Sequence, residues 1–538
     1  VQGDWSSDVC SSDLIFWAIL KWDEEMAAIK HGMLSADYAP NRWLLLIMFL
    51  LGLAIGVHLL GILVVPAICF VIYFRHKEVT DLKGILLTGI LSIFILGFIQ
   101  EAVIAGSISL ASSFEIAFVN SIGLPFFAGT IFFFGALIIA LVWGIRYARK
   151  KGKTILYNAI MGLIFLLIGY GSFAVIVIRS NANTPLDEND PENLVTLHAY
   201  LKREQYGSAP LLYGPAWNST ENERELWDDR SPFLLRRFVV TKGEATLKAF
   251  KDEARARKYA ADNGGSVEEK YFESNETERI NAVPTYAQNM FFPRMYWNQE
   301  QQRIDGYAKW SGYDANDDAI TEKGKDGKRL PTAGENFRFF LSYQVDWMYW
   351  RYFMWNFAGR QNDIQGHGDN MRGNWISGFS AIDNDRLGDQ TNAPDYTTNN
   401  PANNKFFYLP LILGLIGLFF HFYRAPKDAF VLFLAFLFTG VAIIIYLNPK
   451  PFEPRERDYA LAGSFYFFAM WIGIGIYGLY DAFMRFKKAD FMKVIYVLLG
   501  GLVLFFFADL GAEVGMPTTV SWLIITGITA ALLGLMML

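Results

Sequence analysis

Residues 337–370 read FRFFLSYQVDWMYWRYFMWNFAGRQNDIQGHGDN, as aromatic as a membrane span yet carrying Arg338, Asp346, Arg351 and Arg360. A helix crossing the bilayer would set those charges in hydrocarbon, at about 2.5–3.5 kcal/mol each near the centre. The aromatic side chains of Trp347, Tyr349, Trp350, Tyr352, Phe353 and Trp355 suit the headgroup boundary instead. The stretch therefore predicts a helix lying in or on the membrane interface, ending at Gly359 and followed by a polar loop. An aromatic core helix of a soluble domain is the competing reading.

Both flanks of this stretch are apolar. Across 538 residues the chain is 53% hydrophobic and 16% aromatic. Runs of about 20 apolar residues separated by short basic loops predict a multi-span membrane protein. A net charge of -5 argues against a nucleic-acid partner. Cys10 and Cys69 are the only cysteines, so neither a disulfide framework nor a cysteine metal site is expected. Residues 1–14, VQGDWSSDVCSSDL, repeat Ser-Ser-Asp, lack a basic n-region and run into a span part-way along it. They are expected to be a non-native or artefactual start, with upstream spans missing. The final apolar run is expected to be truncated.

In chain order, 15–22 is the tail of a span. Residues 43–74 are too long for one helix of about 20 residues. Gly52, Gly56, Gly61 and Pro66 favour two short helices in a hairpin with both ends on the cytoplasmic side, beside Arg75, His76, Lys77 and Lys83. Spans follow at about 84–108, 124–147 and 155–178, then 406–423, 429–447, 462–483, 494–508 and 519–538. The basic loops, Arg146–Lys153 among them, put the insert 179–404 outside the cell membrane. The expected organisation is an N-terminal membrane half at 15–178, an extracytoplasmic α+β insert at 179–336, an interfacial helix and polar loop at 337–404, and a C-terminal membrane half at 405–538. Within the insert a helix is expected at 194–205 and a loop at 314–335. Residues 363–404 are expected to cover the membrane face, as an ordered lid or a floppy loop.

No phosphate-binding glycine loop, dinucleotide fingerprint, zinc-protease helix or serine elbow is present. Six histidines without a pair at ligand spacing make a metal site unexpected. What remains is charge near the outer face. The loop 448–464, NPKPFEPRERDYALAGS, holds Lys450, Glu453, Arg455, Glu456, Arg457 and Asp458 between two spans. Arginines there suit a bidentate grip on phosphate; a solvated loop of self-paired charges is the alternative. Arg179 precedes Asp187, Glu188 and Asp190, which could act as base, metal ligand or sugar-hydroxyl acceptor, or could be a helix start with Asp190 as N-cap before Pro191. Glu101 lies at membrane depth, where an ionisable group is a functional candidate. His58 sits at the hairpin break, as a cleft residue or a packing residue. Arg351, Arg360 and Asp363 could line the same cleft or snorkel from the interfacial helix.

Four runs carry a resemblance: RWLLLIMFLLGLAIGVHLL at 42–60, DENDPENL with YLKREQYG at 187–207, YFMWNFAGRQNDIQG at 352–366 and PFEPRERDYALAGSF at 451–465. They resemble a bacterial membrane family formerly known only as a domain of unknown function. It is now grouped with protein O-mannosyltransferase-like enzymes of the GT-C glycosyltransferase superfamily. The resemblance implies a GT-C-like helical bundle in the bacterial inner membrane with its insert on the periplasmic side. It implies transfer of a sugar, mannose in the first instance, from a polyprenyl-phosphate carrier to Ser or Thr hydroxyls of exported proteins. Membrane lipid, the polyprenyl-phosphate-linked sugar and exported acceptors are then the partners. No cofactor beyond that co-substrate is implied, and a divalent metal is left open. Lipid phosphate would sit near Arg455, Arg457 and Arg179. The family's main acidic residue belongs to a first outer loop that this chain lacks, so the piece is expected to be inactive alone. Glu101, Asp187 and Asp458 are the second choices for a catalytic carboxylate, with His58, Glu188, Arg351, Arg360 and Asp363 in the cleft.

Two other classes stay open. A transporter or flippase for a lipid-linked sugar would show repeated halves with broken helices, and the halves here do not visibly repeat. An envelope-assembly protein would use the insert to bind partners and would not need Arg455 and Arg457.

Overall fold

The computed structural model describes residues 4–485 apart from 36–39, 58, 78, 183, 188–189, 202–210, 223–224, 227–233, 244, 274–281, 284, 298–299, 315–322 and 391. The expected spans 494–508 and 519–538 lie outside the described residues. Five described helices are long and apolar enough to cross a membrane: Leu82–Ser121, Ala128–Lys150, Thr154–Ser180, Pro426–Leu447 and Asp458–Arg485. By those helices the chain is a membrane protein.

The chain enters through helix Asp4–Lys30, which runs across the 14/15 boundary drawn from sequence. Residues 43–74 break where the glycines and Pro66 sit, into Arg42–Val57, a 3-10 turn and Val65–His76. Arg42 donates to Glu25 at 2.8 Å. Arg75 grips Asp23 with two nitrogens. Residues 42 and 75 therefore stand at one end of the bundle, against the last turns of the first helix. Lys427, at the start of a C-terminal helix, reaches the Lys77 carbonyl there. Glycine allows a close helix crossing in the C-terminal half: a Cβ on Gly417 would stand 1.8 Å from the Trp471 carbonyl oxygen. Small residues allow such backbone approach.

The span expected to stop near 108 continues as helix to Ser121. Its last turns have a partner outside the apolar bundle. Asn120 donates to the Tyr271 carbonyl and accepts from the Tyr271 amide, both at 2.9 Å, as an adjacent strand would. Tyr271 belongs to Ser266–Glu273, an edge of a three-stranded antiparallel sheet completed by Leu234–Lys242 and Ala245–Phe250. Helix Glu253–Asn263 covers one face through Ala256 and Ala260 against Val240. The helix starts on Asp252, whose carboxylate accepts from the Ala254 and Arg255 amides. The sheet thus rides on the tip of the hairpin between two membrane helices.

The aromatic helix is packed into the protein rather than laid bare on its surface. It runs from Ala333 to Phe357, π-wound between Phe340 and Trp350, and starts on a Thr332–Glu335 capping box. Tyr343, Met348, Tyr349, Tyr352, Phe353, Trp355 and Phe357 are all buried, with Phe436, Phe465 and Phe468 packed on Phe353. Burying each such side chain contributes about 1.5–3 kcal/mol. Of the charges that argued for an exposed helix, Arg351 is satisfied inside by a carboxylate of the 448–464 loop, while Arg338 stays exposed and donates to the Ser311 carbonyl. Polar partners distant in sequence made burial possible.

Residues 359–405 form an ordered cover. A short pairing of Gly359–Arg360 with Asn404–Lys405 closes it, and buried Gln361, Asn362 and Asn374 hold it together through side-chain amides. Helix Pro426–Phe438 breaks before Val441–Leu447, which ends on Asn448 in the left-handed region, φ 43°. Asparagine tolerates that conformation. The Asn448 side chain accepts from Gln344 of the aromatic helix at 2.8 Å.

Candidate functional site

The end of the bundle opposite Arg42, Arg75 and Lys427 gathers the loop 448–461, the aromatic helix, the cover and helix Gln301–Ser311. At its centre Arg351, 2% exposed, donates to Glu456 at 2.8 and 3.2 Å and to the Gly373 carbonyl at 2.8 Å. Tyr352 also donates to Glu456, and the Gly366 amide reaches the same carboxylate at 3.3 Å. Burial alone would lift Glu456; the Arg351 guanidinium and these hydrogen bonds hold it below its ordinary value. Arg351 is therefore saturated, and it does not snorkel. It stacks among Trp347, Tyr352 and Trp355 at 4.1–4.7 Å.

Arg360 is held differently. Its guanidinium lies 3.9 Å over Trp355 and, among the described residues, hydrogen-bonds only through Nε, to the Asn362 carbonyl. Burial pulls its pKa down, and Asp458 and then Asp363 oppose that. Asp363 accepts from Asn400 at 2.8 Å. The Asp458 carboxylate accepts no hydrogen bond among the described residues. A half-buried free carboxylate thus lies within electrostatic reach of a guanidinium whose terminal nitrogens are free. That pair can take a proton and hold an oxyanion. Arg455 is exposed on the same loop, over Tyr459 at 5.6 Å. Arg457 donates to Glu453 at 2.7 Å, so part of its guanidinium is already engaged.

The structure brings Arg351, Arg360, Asp363, Arg457 and Asp458 to one end of the bundle, with Arg455 on the same loop. Others stand apart. Arg179 is exposed at the end of Ala174–Ser180, with no ion pair to the 448–461 loop among the described residues. Asp187 accepts from Ser180 at 2.8 Å, and Asp190 pairs with Lys251. These carboxylates hold the insert to the end of a membrane helix. The N-cap is not Asp190 but Asn193, whose side chain accepts from Val195 and Thr196, because Pro191 stays outside the helix Leu194–Leu201. Glu101 is exposed on Leu82–Ser121. His58 and Glu188 lie outside the described residues. Among the described residues no group of three His, Cys, Asp or Glu is placed to hold a metal ion.

Two residues escaped sequence reading, Glu115 and Trp297. Glu115, 1% exposed, accepts from the Phe127 and Thr130 amides, the Thr130 hydroxyl and the Tyr271 phenol. It caps helix Ala128–Lys150, where a negative charge meets the positive helix end. The unusual signal was a glutamate in SLASSFEIAF, past the end of the expected span. Lys450 was visible in its loop, but its neighbour Trp297 lies far away in sequence.

Residues 5–81 match the family model described as the protein O-mannosyl-transferase TMEM260 N-terminal domain. Residues 207–341, most of the insert, match a family of unknown function, DUF8416. No curated protein and no solved structure matches the chain.

Proposed function

We propose that the chain is part of an integral membrane glycosyltransferase. It moves a sugar, mannose first among them, from a polyprenyl-phosphate carrier to Ser or Thr hydroxyls of exported proteins. The match of residues 5–81 to a protein O-mannosyl-transferase N-terminal domain carries this reading. The Asp458 carboxylate within electrostatic reach of Arg360, at one end of a hydrophobic bundle, supports it.

In this reading Asp458 takes the proton of the acceptor hydroxyl as its oxygen attacks the anomeric carbon. The bond from that carbon to the phosphate oxygen breaks, with inversion. Arg360 and Arg455 meet the charge gathering on the departing lipid phosphate, and Arg351 and Glu456 keep loop and cover in register. The proton leaves Asp458 to water after product departs. A positioned base contributes about 10²–10⁴-fold in rate.

The test uses the full-length protein in detergent, polyprenyl-phosphate mannose and a Ser/Thr peptide, followed by peptide mass. The expected result is a hexose gain that falls at least a hundredfold in Asp458→Asn with the fold intact. A gain undiminished in that variant removes Asp458 from the mechanism. No gain with any lipid-linked sugar, together with lipid-sugar movement across liposomes, replaces the transferase with a flippase.

A further inference from the structure

On the other flank of the same loop lies a group of cations that the reading above does not use. The Lys450 ammonium rests 2.7 Å from the centre of the Trp297 ring and makes no hydrogen bond or ion pair among the described residues. Arg303, of helix Gln301–Ser311, lies over the same ring at 5.5 Å. Arg303 is 9% exposed; its Nε donates to Glu300, while Nη1 is buried without a partner. Two more buried donors there are orphaned: Nε of Arg457 and Nε1 of Trp297. The nearby carboxylates are already engaged, Glu453 with Arg457 and Glu300 with Arg303.

Buried donors left unmade are costly, and unpaired buried cations more so. Native interiors complete such groups with a partner. Here the unused donors are all N–H, they come from three segments of chain, and three of the four side chains are cationic. A carboxylate offers two oxygens; a phosphate offers at least three strong acceptors and more charge. The indole beneath Lys450 leaves that ammonium partly stripped of water, and removal from water strengthens its pull on an anion.

We propose that Lys450, Arg303, Arg457 and Trp297 form a receptor for a phosphate group, separate from the Arg360–Asp458 pair. Its position at the same end of the bundle suits a phosphate monoester presented by a lipid, and free phosphate has the same headgroup chemistry. The proposal does not rest on the transferase reading, and binding is read without turnover.

The experiment titrates the full chain in detergent at pH 7 with inorganic phosphate and, separately, with decyl phosphate, following phosphorus NMR line width. Saturable binding is expected, weakened at least tenfold in Lys450→Met and in Arg303→Gln and unchanged in Lys258→Met on the exposed face of Glu253–Asn263. Because Lys450 is pushed down to about 8 by burial and by the Arg303 charge, affinity should also fall between pH 7 and 9 in the parent, and less so in Lys450→Met. Binding of both probes marks a receptor for the bare oxyanion. Binding of decyl phosphate alone marks a lipid as the source. Absence of saturable binding by either probe, or equal affinity in parent, Lys450→Met and Arg303→Gln, overturns the proposal.

Discussion

Arg351 and Glu456, 105 residues apart in the chain, meet as a two-pronged ion pair at 2.8 and 3.2 Å in the interior of the bundle's polar end. Through Gly373 and Gly366 the same two side chains also hold the cover 359–405. One contact therefore joins the aromatic helix, the loop between two C-terminal helices and the lid. The free groups of Arg360 and Asp458 are displayed on a frame whose own charges are already spent on each other.

Removing one partner of a buried pair strands the other. Glu456→Leu should cost about 3–5 kcal/mol of stability, while the Arg351→Met, Glu456→Leu double variant recovers most of it. Thermal unfolding in detergent reads both. Equal losses in single and double variants would show that packing, not the charge, is what matters. The pH dependence has a definite sign. Glu456 is held below its unfolded value of 4.5, so the unfolded chain takes up the proton first. The pair's contribution is present above about pH 4.5 and disappears as pH falls through the folded value. The parent should therefore lose its advantage over Glu456→Gln below pH 4.5 and keep it at pH 7.

Glycines on one helix separate packing from propensity. A Cβ at Gly475 would stand 2.1 Å from the Leu413 carbonyl oxygen, whereas one at Gly473 meets nothing within 4 Å. Both lie on Ala462–Arg485. Gly475→Val should destabilise by about 1–3 kcal/mol through overpacking. Gly473→Ala should stabilise by about 0.5–1 kcal/mol through helix propensity. Opposite shifts in unfolding temperature are expected; matching shifts would remove the close crossing as the cause.

The membrane helices were legible because apolar runs and basic loops are local signals. The break near Gly61 and Pro66 was legible for the same reason. The aromatic helix was read as interfacial because Arg338, Asp346, Arg351 and Arg360 would be costly in a helix crossing the bilayer, and nothing within the stretch revealed Glu456 as the partner of Arg351. Long-range pairing decided burial there. Likewise the helix containing Glu101 and Glu115 runs on past its apolar part because Tyr271, 151 residues beyond Asn120, waits at its end. The loop of Arg455, Arg457 and Asp458 was visible as a charged loop between spans. Which of its charges stay free could not be read, since Glu453 and Glu456 each had two arginines within reach along the sequence.

Glu115 should act as the clamp between the hairpin tip and the sheet. Glu115→Gln keeps the shape but removes the charge that accepts from Phe127, Thr130 and Tyr271. A lost charge-assisted set costs about 1–3 kcal/mol. Amide exchange at Phe127 and Thr130 should accelerate about tenfold or more, while Glu101→Gln, at an exposed position on the same helix, leaves those amides unchanged. Phe127 also holds a left-handed backbone, φ 71°, that this carboxylate stabilises. Uniform acceleration across the chain would instead point to general destabilisation.

Lys450 carries the opposite sign from Glu456. Burial first, then the Arg303 charge, lower it from 10.5 to about 8, so the folded state disfavours the proton that the unfolded chain keeps. Without an anion that penalty is fully present below pH 8 and fades as pH rises toward 10.5. Lys450→Met should therefore raise the unfolding temperature at pH 7 in phosphate-free buffer, and the gain should shrink steadily up to pH 10. Adding saturating phosphate supplies the missing countercharge and should stabilise the parent more than the variant. A variant less stable than the parent at pH 7 without phosphate would show that the lysine is held by contacts worth more than its burial costs.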